Sequence, residues 1–351
     1  MAAKSGRSNG SMRRSTFLVW APPHRGSRSA WLARELGISD IRYIAGSERR
    51  GIAGILFKYP RQFMRTWMHL MNRRPLIVFV QSPPSFAAWT ATLYCAMAGA
   101  SLIIDAHSDA FQRGIWTRPR WLNRLVARRA VAMLATDQHW ISRLRSWGAT
   151  AVRVPDVPTS LPVGEAAVLT PGFNVAVVNT WAPDEPLAEV ISAARQLPEV
   201  TFHVTGHDGP ATTLGVPIPP NVRFTGFLPV RAYFGLLASA QAVMCLTTRD
   251  HTMQRGACEG LSLGVPVITS DWPILREYFC RGTVHVTSTS SSIRDGVQML
   301  MARHDSYKLE IVELRATRRR EWTQRRAMLR GLVADALDRG GLSRQVRGPR
   351  R

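Results

Sequence analysis

Short apolar runs alternate with longer, half-polar stretches along the first half of the chain, as strands alternate with helices in α/β folds. Runs too short for a helix are predicted strands, and the stretches between them are predicted helices. The strands are predicted at Phe17 to Ala21, Ile77 to Gln81, Leu102 to Asp105 and Val152 to Val154, the helices at Ala30 to Leu36 and Ser85 to Ala98, with Ala127 to Leu134 continuing the alternation.

The middle of the chain loses this periodicity. Pro155, Pro158, Pro162 and Pro171 predict a linker. Beyond it, strands are predicted at Asn174 to Val178, Val200 to Thr205, Val222 to Thr225, Ala242 to Leu246 and Val267 to Thr269, and a last helix from about Ser306 to Leu337. The predicted fold class is therefore α/β, with two parallel sheets covered by helices on both faces.

One uncharged stretch imitates a membrane span. No charged residue occurs from Pro75 to Ile104, and Phe86 to Ile104 is nearly long enough to cross a bilayer. Prolines break its start, Gly99 interrupts it, and Asp105 follows directly. A buried strand, an apolar helix and a second buried strand explain the pattern better than a span.

Charge is distributed unevenly along the 351 residues, whose net charge is +22. Residues 1–165 carry 24 basic against 8 acidic side chains, a net +16, whereas residues 166–300 carry 8 against 10, a net −2. A basic half beside a neutral one predicts an anionic partner, either a membrane or a nucleic acid. The ends, residues 1–14 and 341–351, are predicted to be disordered basic tails, the first without the apolar core of an export signal.

The four cysteines show neither a Cys-x-x-Cys pair nor the spacing of a metal site. Three of them lie in apolar runs. Reduced, buried thiols are therefore expected, as in a cytosolic protein.

The segment from Ile52 to Arg74 combines large apolar side chains with cations. Phe57, Phe63 and Trp67 with Arg61 and Arg65 give the profile of a helix that lies in a membrane interface. A core-packing helix with a solvated basic face has the same composition. The excess of basic residues in this half favours contact with an anionic membrane.

The stretch from Gly256 to Glu277 places a carboxylate, Glu259, on a predicted helix that ends at Gly264. Amides at the start of that helix, from Thr252 to Ala257, point toward anions in folds of this class. Arg255 adds a planar cation suited to a diphosphate, and Gly256 follows it. Glu259 is then positioned to accept hydrogen bonds from sugar hydroxyls.

This stretch resembles the donor-site motif of the GT-B glycosyltransferases, including the family-four enzymes. The matching positions are Glu259, Gly264, Pro266, Ser270, Asp271, Leu275 and Glu277. Four further segments are similar to those of the chitobiosyldiphosphodolichol β-mannosyltransferases: VQSPPS, LIIDAHSDAF, WGATAVRVPDVP and NTWAPDEP, beginning at residues 80, 102, 147 and 179.

The resemblance implies a GT-B fold, in which two Rossmann-like domains face each other across a cleft. Residues 15–160 are then an acceptor-binding, membrane-facing domain, and residues 161–305 a nucleotide-sugar-binding domain. Residues 306–340 are a helical region that crosses back to the first domain. Asp156, in VPDVP, matches the interdomain Asp-x-Pro of the β-mannosyltransferases, although a turn-stabilising role explains it equally well.

Two positions depart from the family-four pattern. His251 occupies the place of a second glutamate in the retaining enzymes, which leaves the stereochemical outcome open. The usual Arg/Lys pair after the first strand of the second domain is absent. Thr180 and Trp181 occur there, as in the β-mannosyltransferases, and are candidates to contact donor phosphate or acceptor. The candidates for ribose and base contacts are Gly206, His207, Phe227 and Leu228.

Asp105, His107 and Asp109 follow a buried strand and are the candidates for the catalytic base that deprotonates an acceptor hydroxyl. His107 is alternatively a cap of the following turn, with Asp105 as its structural partner. A turn after the first strand contains the phosphate-loop candidates Gly26, Ser27 and Arg28, although an ordinary surface loop fits as well.

Together these features predict a glycosyltransferase that moves mannose or another hexose from a GDP- or UDP-linked donor to a polyprenyl-phosphate-linked glycan. Such an enzyme is expected at the cytoplasmic face of an anionic membrane, as a peripheral protein of glycan or polysaccharide biosynthesis. It needs neither a metal nor a cofactor and binds no nucleic acid. The alternatives are a GT-B-fold nucleotide-sugar epimerase and a basic nucleic-acid-binding protein.

Overall fold

The computed structural model describes residues 14–23, 28–46, 52–206 and 214–346, with the backbone alone for residues 52–56 and 339–346. The chain divides into two compact units. The N-terminal unit comprises the residues up to Pro155 together with those from Thr323 onward, and the C-terminal unit comprises Asp156–Trp322.

The N-terminal unit contains a six-stranded parallel sheet in the order β2-β1-β3-β4-β5-β6. Its strands are β1 (Ser15–Val19), β2 (Asp40–Tyr43), β3 (Ile77–Ser82), β4 (Ser101–Ala106), β5 (Ala132–Ala135) and β6 (Ala151–Arg153). Its helices are α1 (Arg28–Leu36), α2 (Ile52–Arg73), α3 (Ser85–Ala98), α4 (Asp109–Gln112), α5 (Gly114–Thr117), α6 (Arg120–Arg129) and α7 (Gln138–Ser146).

The central strands are apolar because helices cover the sheet. Every residue of β1 is buried, and Phe17 of β1 stacks on Phe79 of β3 with ring centroids 5.7 Å apart. The uncharged stretch from Pro75 to Ile104 forms β3, α3 and most of β4, so the prediction of a strand, helix and strand is confirmed. Within the described part of the chain, no helix has the length and apolarity needed to span a bilayer.

Two differences from the sequence prediction concern the strands of this unit. Strand β2 was not predicted, because Asp40 and Arg42 interrupt its apolar pattern, and the strand lies at the sheet edge where one side needs no burial. The predicted run from Ala127 to Leu134 is the end of α6 followed by most of β5, with the helix ending at Arg129.

The C-terminal unit contains a second six-stranded parallel sheet, in the order β12-β11-β10-β7-β8-β9. Its strands are β7 (Phe173–Val177), β8 (Val200–Thr205), β9 (Val222–Gly226), β10 (Ala242–Cys245), β11 (Val267–Ser270) and β12 (Thr283–Val286). Its helices are α8 (Leu187–Ala194), α9 (Val230–Ser239), α10 (Arg255–Leu263), α11 (Pro273–Tyr278) and α12 (Ser290–Ala302). All five strands predicted here are confirmed, whereas the short edge strand β12 was not predicted.

The last helix, α13 (His304–Val346), is longer than predicted at both ends. Its residues up to Trp322 belong to the C-terminal unit, and its residues from Thr323 onward belong to the N-terminal unit. Within the N-terminal unit, Arg326 Nη1 lies 3.2 Å from Glu35 Oε2. The tail predicted to be disordered from residue 341 overlaps this helix, and residues 1–13 and 347–351 lie outside the described part.

Candidate functional site

Each sheet has one place where the strand order reverses, between β1 and β3 in the N-terminal unit and between β7 and β10 in the C-terminal unit. Loops that follow the two central strands diverge there and leave a crevice at the carboxyl ends of the strands. Ligands of open α/β sheets bind at this position. The phosphate-loop candidates follow β1, Thr180 and Trp181 follow β7, and Arg255, Gly256 and Glu259 follow β10, all strands that flank one of these two reversals.

Asp105, at the end of β4, is fully buried and has two cationic or polar partners. Arg28 Nε, on the first residue of α1, donates to Asp105 Oδ1 at 3.1 Å. His107 Nε2 lies 3.1 Å from Asp105 Oδ2. Arg28 also donates from Nη2 to the carbonyl of Val154 at 2.7 Å, which ties the loop after β6 to the same cluster.

The charge on Asp105 is set by these partners. Burial alone raises the pKa of a carboxyl, but the positive charge of Arg28, the neighbouring His107 and the hydrogen bonds from both outweigh it and lower the pKa of Asp105 to about 2. Asp105 is therefore ionised at neutral pH. A carboxylate with so low a pKa is a poor general base.

Of the three base candidates, His107 has the position that best suits proton transfer. Its imidazole is 30% exposed, and its backbone N–H donates to the carbonyl of Ser82 at 2.8 Å, which fixes the residue beside the end of β3. Because Asp105 accepts from Nε2, the neutral ring keeps its lone pair on Nδ1. A carboxylate that orients a histidine in this way prepares it to accept a proton.

The remaining candidates of this unit occupy other positions. Asp109 begins α4 and lies 3.5 Å from Arg113 Nε, one helical turn onward. Gly26 and Ser27 lie outside the described residues. Arg28 is buried against Asp105, whereas the prediction places it at a phosphate. The neighbouring Ser29 donates to Gln81 Oε1 at 2.8 Å, a contact that sequence reasoning missed although Gln81 lies at the end of a predicted strand.

In the C-terminal unit, Glu259 lies in the middle of α10 and is almost completely buried. Both of its oxygens accept hydrogen bonds, from Tyr233 Oη at 2.6 Å and from Arg255 Nε at 3.1 Å. Arg255 Nη1 also lies 3.7 Å from Asp156 Oδ1. Burial and the negative charge of Glu259 raise the pKa of Tyr233 well above its ordinary value, so the phenol remains a donor to the carboxylate.

The start of α10 packs directly on the end of β7. A Cβ atom on Gly256 would lie 2.7 Å from side-chain atoms of Val178, so only glycine fits at this position. The backbone amides of Gly256 and Ala257 point toward the buried sulfur of Cys245, whose pKa burial raises to about 12. The side chain of Arg255, at this helix start, is 37% exposed.

The NTWAPDEP loop after β7 is folded around Glu185. Its carboxylate accepts from the amides of Thr180 and Ala182, at 2.7 and 2.9 Å, and from Thr180 Oγ1 at 3.0 Å. Trp181 has a left-handed φ of 61°. A Cβ atom on Gly206 would lie 2.0 Å from the carbonyl oxygen of Asn179, so this loop touches the end of β8. The structure therefore brings the candidates Thr180, Trp181 and Gly206 together.

The other donor-site candidates surround the same strand ends. Phe227 follows β9 and is exposed, while Leu228 is partly buried against the core beside α9. His207 lies outside the described residues. His251 has a left-handed φ of 56°, and its amide donates to the carboxylate of Asp250 at 2.6 Å. In the described residues, no group of three or more His, Cys, Asp or Glu side chains could hold a metal ion.

Residues 173–305 match the family model described as glycosyl transferases group 1. These residues all lie within the C-terminal unit. Its match spans β7 to the end of α12 and so contains Glu259, Arg255 and the loop folded around Glu185. Among curated protein sequences, none matches this chain.

Solved structures extend the comparison to both units. HepE of Anabaena, in complex with UDP and glucose, is similar with a TM-score of 0.65 at 15% identity, covering 93% of this chain and 99% of that chain. MnaA of S. aureus with UDP gives 0.55 at 12% identity, covering 84% and 89%. A Listeria monocytogenes protein assigned as a UDP-N-acetylglucosamine 2-epimerase gives 0.55 at 14%, covering 81% and 80%. The predicted GT-B fold is thus confirmed.

Proposed function

We propose that this protein is a glycosyltransferase that moves a hexose from a nucleotide sugar to a lipid-linked saccharide. The observation that carries the proposal is the position of Glu259 and Arg255 on α10, at the switch point of a domain that matches glycosyl transferases group 1. A buried carboxylate that already accepts two hydrogen bonds is fixed in place and suited to accept others from sugar hydroxyls.

The donor is assigned to the C-terminal unit. Arg255 presents a guanidinium that can bind a diphosphate through two donors, and Thr180 and Gly206 line the neighbouring strand ends. HepE and MnaA hold UDP, which favours UDP over GDP as the nucleotide. Phe227, exposed after β9, offers an apolar face for the base. Mannose, suggested by the resemblance to the β-mannosyltransferases, remains one candidate among the hexoses.

The acceptor and the base are assigned to the N-terminal unit. His107 Nδ1 takes the proton of an acceptor hydroxyl, the oxygen attacks the anomeric carbon, and the nucleoside diphosphate leaves with the bonding electrons. Asp105 holds His107 through Nε2 and stabilises the imidazolium that forms, while Arg28 keeps Asp105 ionised. The leaving diphosphate is neutralised in this scheme by Arg255 and needs no metal ion.

The acceptor class rests on the charge of the N-terminal half. Its net charge of +16 in residues 1–165 suits an anionic membrane and a saccharide carried on polyprenyl phosphate. We therefore place the protein as a peripheral enzyme on the cytoplasmic face of that membrane.

An epimerase is the second candidate, because the Listeria protein of the same fold carries that assignment. The two functions differ in one requirement, since a transferase needs an acceptor and an epimerase does not.

The test has two stages. Thermal unfolding is first measured with UDP, GDP and dTDP and with sugars linked to each, because a ligand at about 100 times its Kd stabilises the folded protein by about 2.7 kcal/mol. The stabilising nucleotide sugar is then incubated with and without a polyprenyl-phosphate-linked saccharide. Nucleotide release that requires the acceptor supports the transferase. Conversion of the donor sugar without acceptor supports the epimerase, and stabilisation by no nucleotide would refute both.

A further inference from the structure

Neighbouring helices of the N-terminal unit leave large apolar side chains exposed to solvent. On α2 the exposed set differs from the sequence prediction, because Phe63 and Trp67 stack on each other and pack against the core. The exposed residues are Phe57, Met64, Met68 and Met71 of α2, Phe86, Leu93 and Met97 of α3, and Ile115, Trp121 and Leu125 of α5 and α6. We call this set the apolar surface. Large exposed apolar patches on soluble proteins mark interaction sites.

A line of aromatic contacts joins these helices side by side. Tyr59 of α2 lies 4.6 Å from Phe86 of α3, measured between ring centroids, and Phe86 lies 4.7 Å from Trp89. Trp89 Nε1 donates to Asn123 Oδ1 of α6 at 2.9 Å. The helices α2, α3 and α6 are therefore neighbours, and their solvent-facing sides adjoin.

The rim of this face is basic. From residue 57 to residue 136 the sequence has eleven lysines and arginines but only two acidic residues, Asp105 and Asp109. Asp105 is buried against Arg28, so it adds no negative charge to the exterior. Arg61 and Arg65 of α2 are exposed beside the apolar stripe, and so are Arg118, Arg120 and Arg124 around α6.

We propose that the apolar surface docks this unit on an anionic lipid bilayer, with Trp121 and Met97 inserting among the acyl chains and the arginines binding lipid phosphates. Trp121 is 68% and Met97 70% exposed, so both reach a bilayer without rearrangement of the core. An apolar centre with a cationic rim is the profile of an interfacial membrane contact. A second copy of the chain fits less well, because a two-fold interface would set this arginine-rich face against itself.

Docking here would bring the strand ends near the lipid. A cavity of about 30 Å³ lies between α3, α5 and α6, lined by Trp116, Asn123 and Ala88 and, at the strand ends, by Ser82 and Ala106. Ser82 also accepts the hydrogen bond that fixes His107. This part of the inference rests on the proposed function, since docking here would bring the strand ends beside His107 close to a lipid-linked acceptor.

The test is sedimentation of the full chain with vesicles of phosphatidylcholine alone and of equimolar phosphatidylcholine and phosphatidylglycerol. One variant combines Met97→Ser with Trp121→Ser, and a second combines Arg120→Gln with Arg124→Gln. The control combines Leu309→Ser with Arg231→Gln, which removes an equally exposed leucine and arginine from the C-terminal unit.

We expect the wild type and the control to bind the anionic vesicles and not the neutral ones. The arginine variant should bind about 30-fold more weakly, as two lipid-facing cations predict, and the difference should disappear at high salt. The apolar variant should bind at least about tenfold more weakly at any salt concentration. No binding by the wild type, or equal binding by the apolar variant and the control, would overturn the proposal.

A second measurement separates this inference from the proposed function. Calorimetric binding of UDP without vesicles should be the same in the wild type and all three double variants. If the wild type does not bind UDP, the proposed nucleotide-sugar reaction is refuted, whereas the proposal of vesicle docking still stands. If light scattering instead shows a wild-type dimer that the apolar variant converts to monomer with unchanged vesicle binding, the occupant of the surface is a second copy, and the membrane proposal is wrong.

Discussion

Replacing Glu259 with glutamine tests the donor site with the smallest possible change. The substitution keeps the shape of the side chain and its ability to accept from Tyr233, but it removes the negative charge. Arg255 keeps a second carboxylate, because Asp156 lies 3.7 Å from its Nη1 atom. We therefore expect Glu259→Gln to fold, with a loss of about 1 kcal/mol in unfolding free energy.

The effect on activity should be larger. A hydrogen bond from a sugar hydroxyl to a charged carboxylate contributes about 1.5–3 kcal/mol. Losing that contribution in the transition state lowers kcat/KM by between about tenfold and about 150-fold. If the hydroxyl is bound equally in the ground state, the loss falls on the Kd of the nucleotide sugar, and if it is bound mainly in the transition state, the loss falls on kcat.

The assay measures nucleotide release in the presence of acceptor, with calorimetric Kd values for UDP and for the nucleotide sugar. Glu313→Gln is the matched control. Glu313 forms an Arg–Glu pair of the same 3.1 Å length, with Arg281, but both side chains are exposed and lie on the surface. A folded Glu259→Gln protein with the kcat/KM and Kd values of this control would refute the assignment of Glu259 to the donor.

The remaining predictions concern the base, acid stability and metal dependence. His107→Gln should lower kcat by about 100-fold at an unchanged Kd for UDP, since it removes the base and not the donor site; an unchanged kcat would exclude this residue as the base. Asp105→Asn should lower the unfolding free energy at pH 7 by about 2 kcal/mol, measured with urea. The folded-state pKa of Asp105 lies below its unfolded value, so this stability is complete above about pH 5 and about half is lost by pH 3; the two proteins should converge only below about pH 2. EDTA should leave turnover unchanged, because in the proposed scheme Arg255 neutralises the charge of the leaving diphosphate. A loss of activity that magnesium or manganese restores would contradict this prediction.

The sequence missed one edge strand of each sheet, β2 and β12, for one physical reason. A central parallel strand is buried on both faces and is mainly apolar, so β3, β4 and β10 contain unbroken runs of three or four apolar residues. An edge strand has one solvated side and carries polar residues. Both β2, with Asp40 and Arg42, and β12, with His285, therefore lack the pattern that periodicity detects.

The candidate site divides in the same way between local and distant contacts. Arg255 and Glu259 are one helical turn apart, and Asp105 and His107 are two residues apart, so the sequence alone placed each pair together. Tyr233 is separated from Glu259 by 26 residues and Arg28 from Asp105 by 77. No local pattern encodes such contacts, because they depend on which loops meet at the switch point of each sheet.

These distant contacts also reassign the chemistry of the N-terminal unit. From spacing alone, three titratable side chains were equivalent candidates for the base. Burial of Asp105 without a partner would have raised its pKa toward that of a useful base, and Arg28 prevents this by supplying a buried positive charge. An arginine expected at a phosphate thus keeps Asp105 ionised at neutral pH, where a carboxylate beside an imidazole orients it and stabilises its positive charge. Within this cluster, the 30% exposed ring of His107 is therefore the group that we propose as the base.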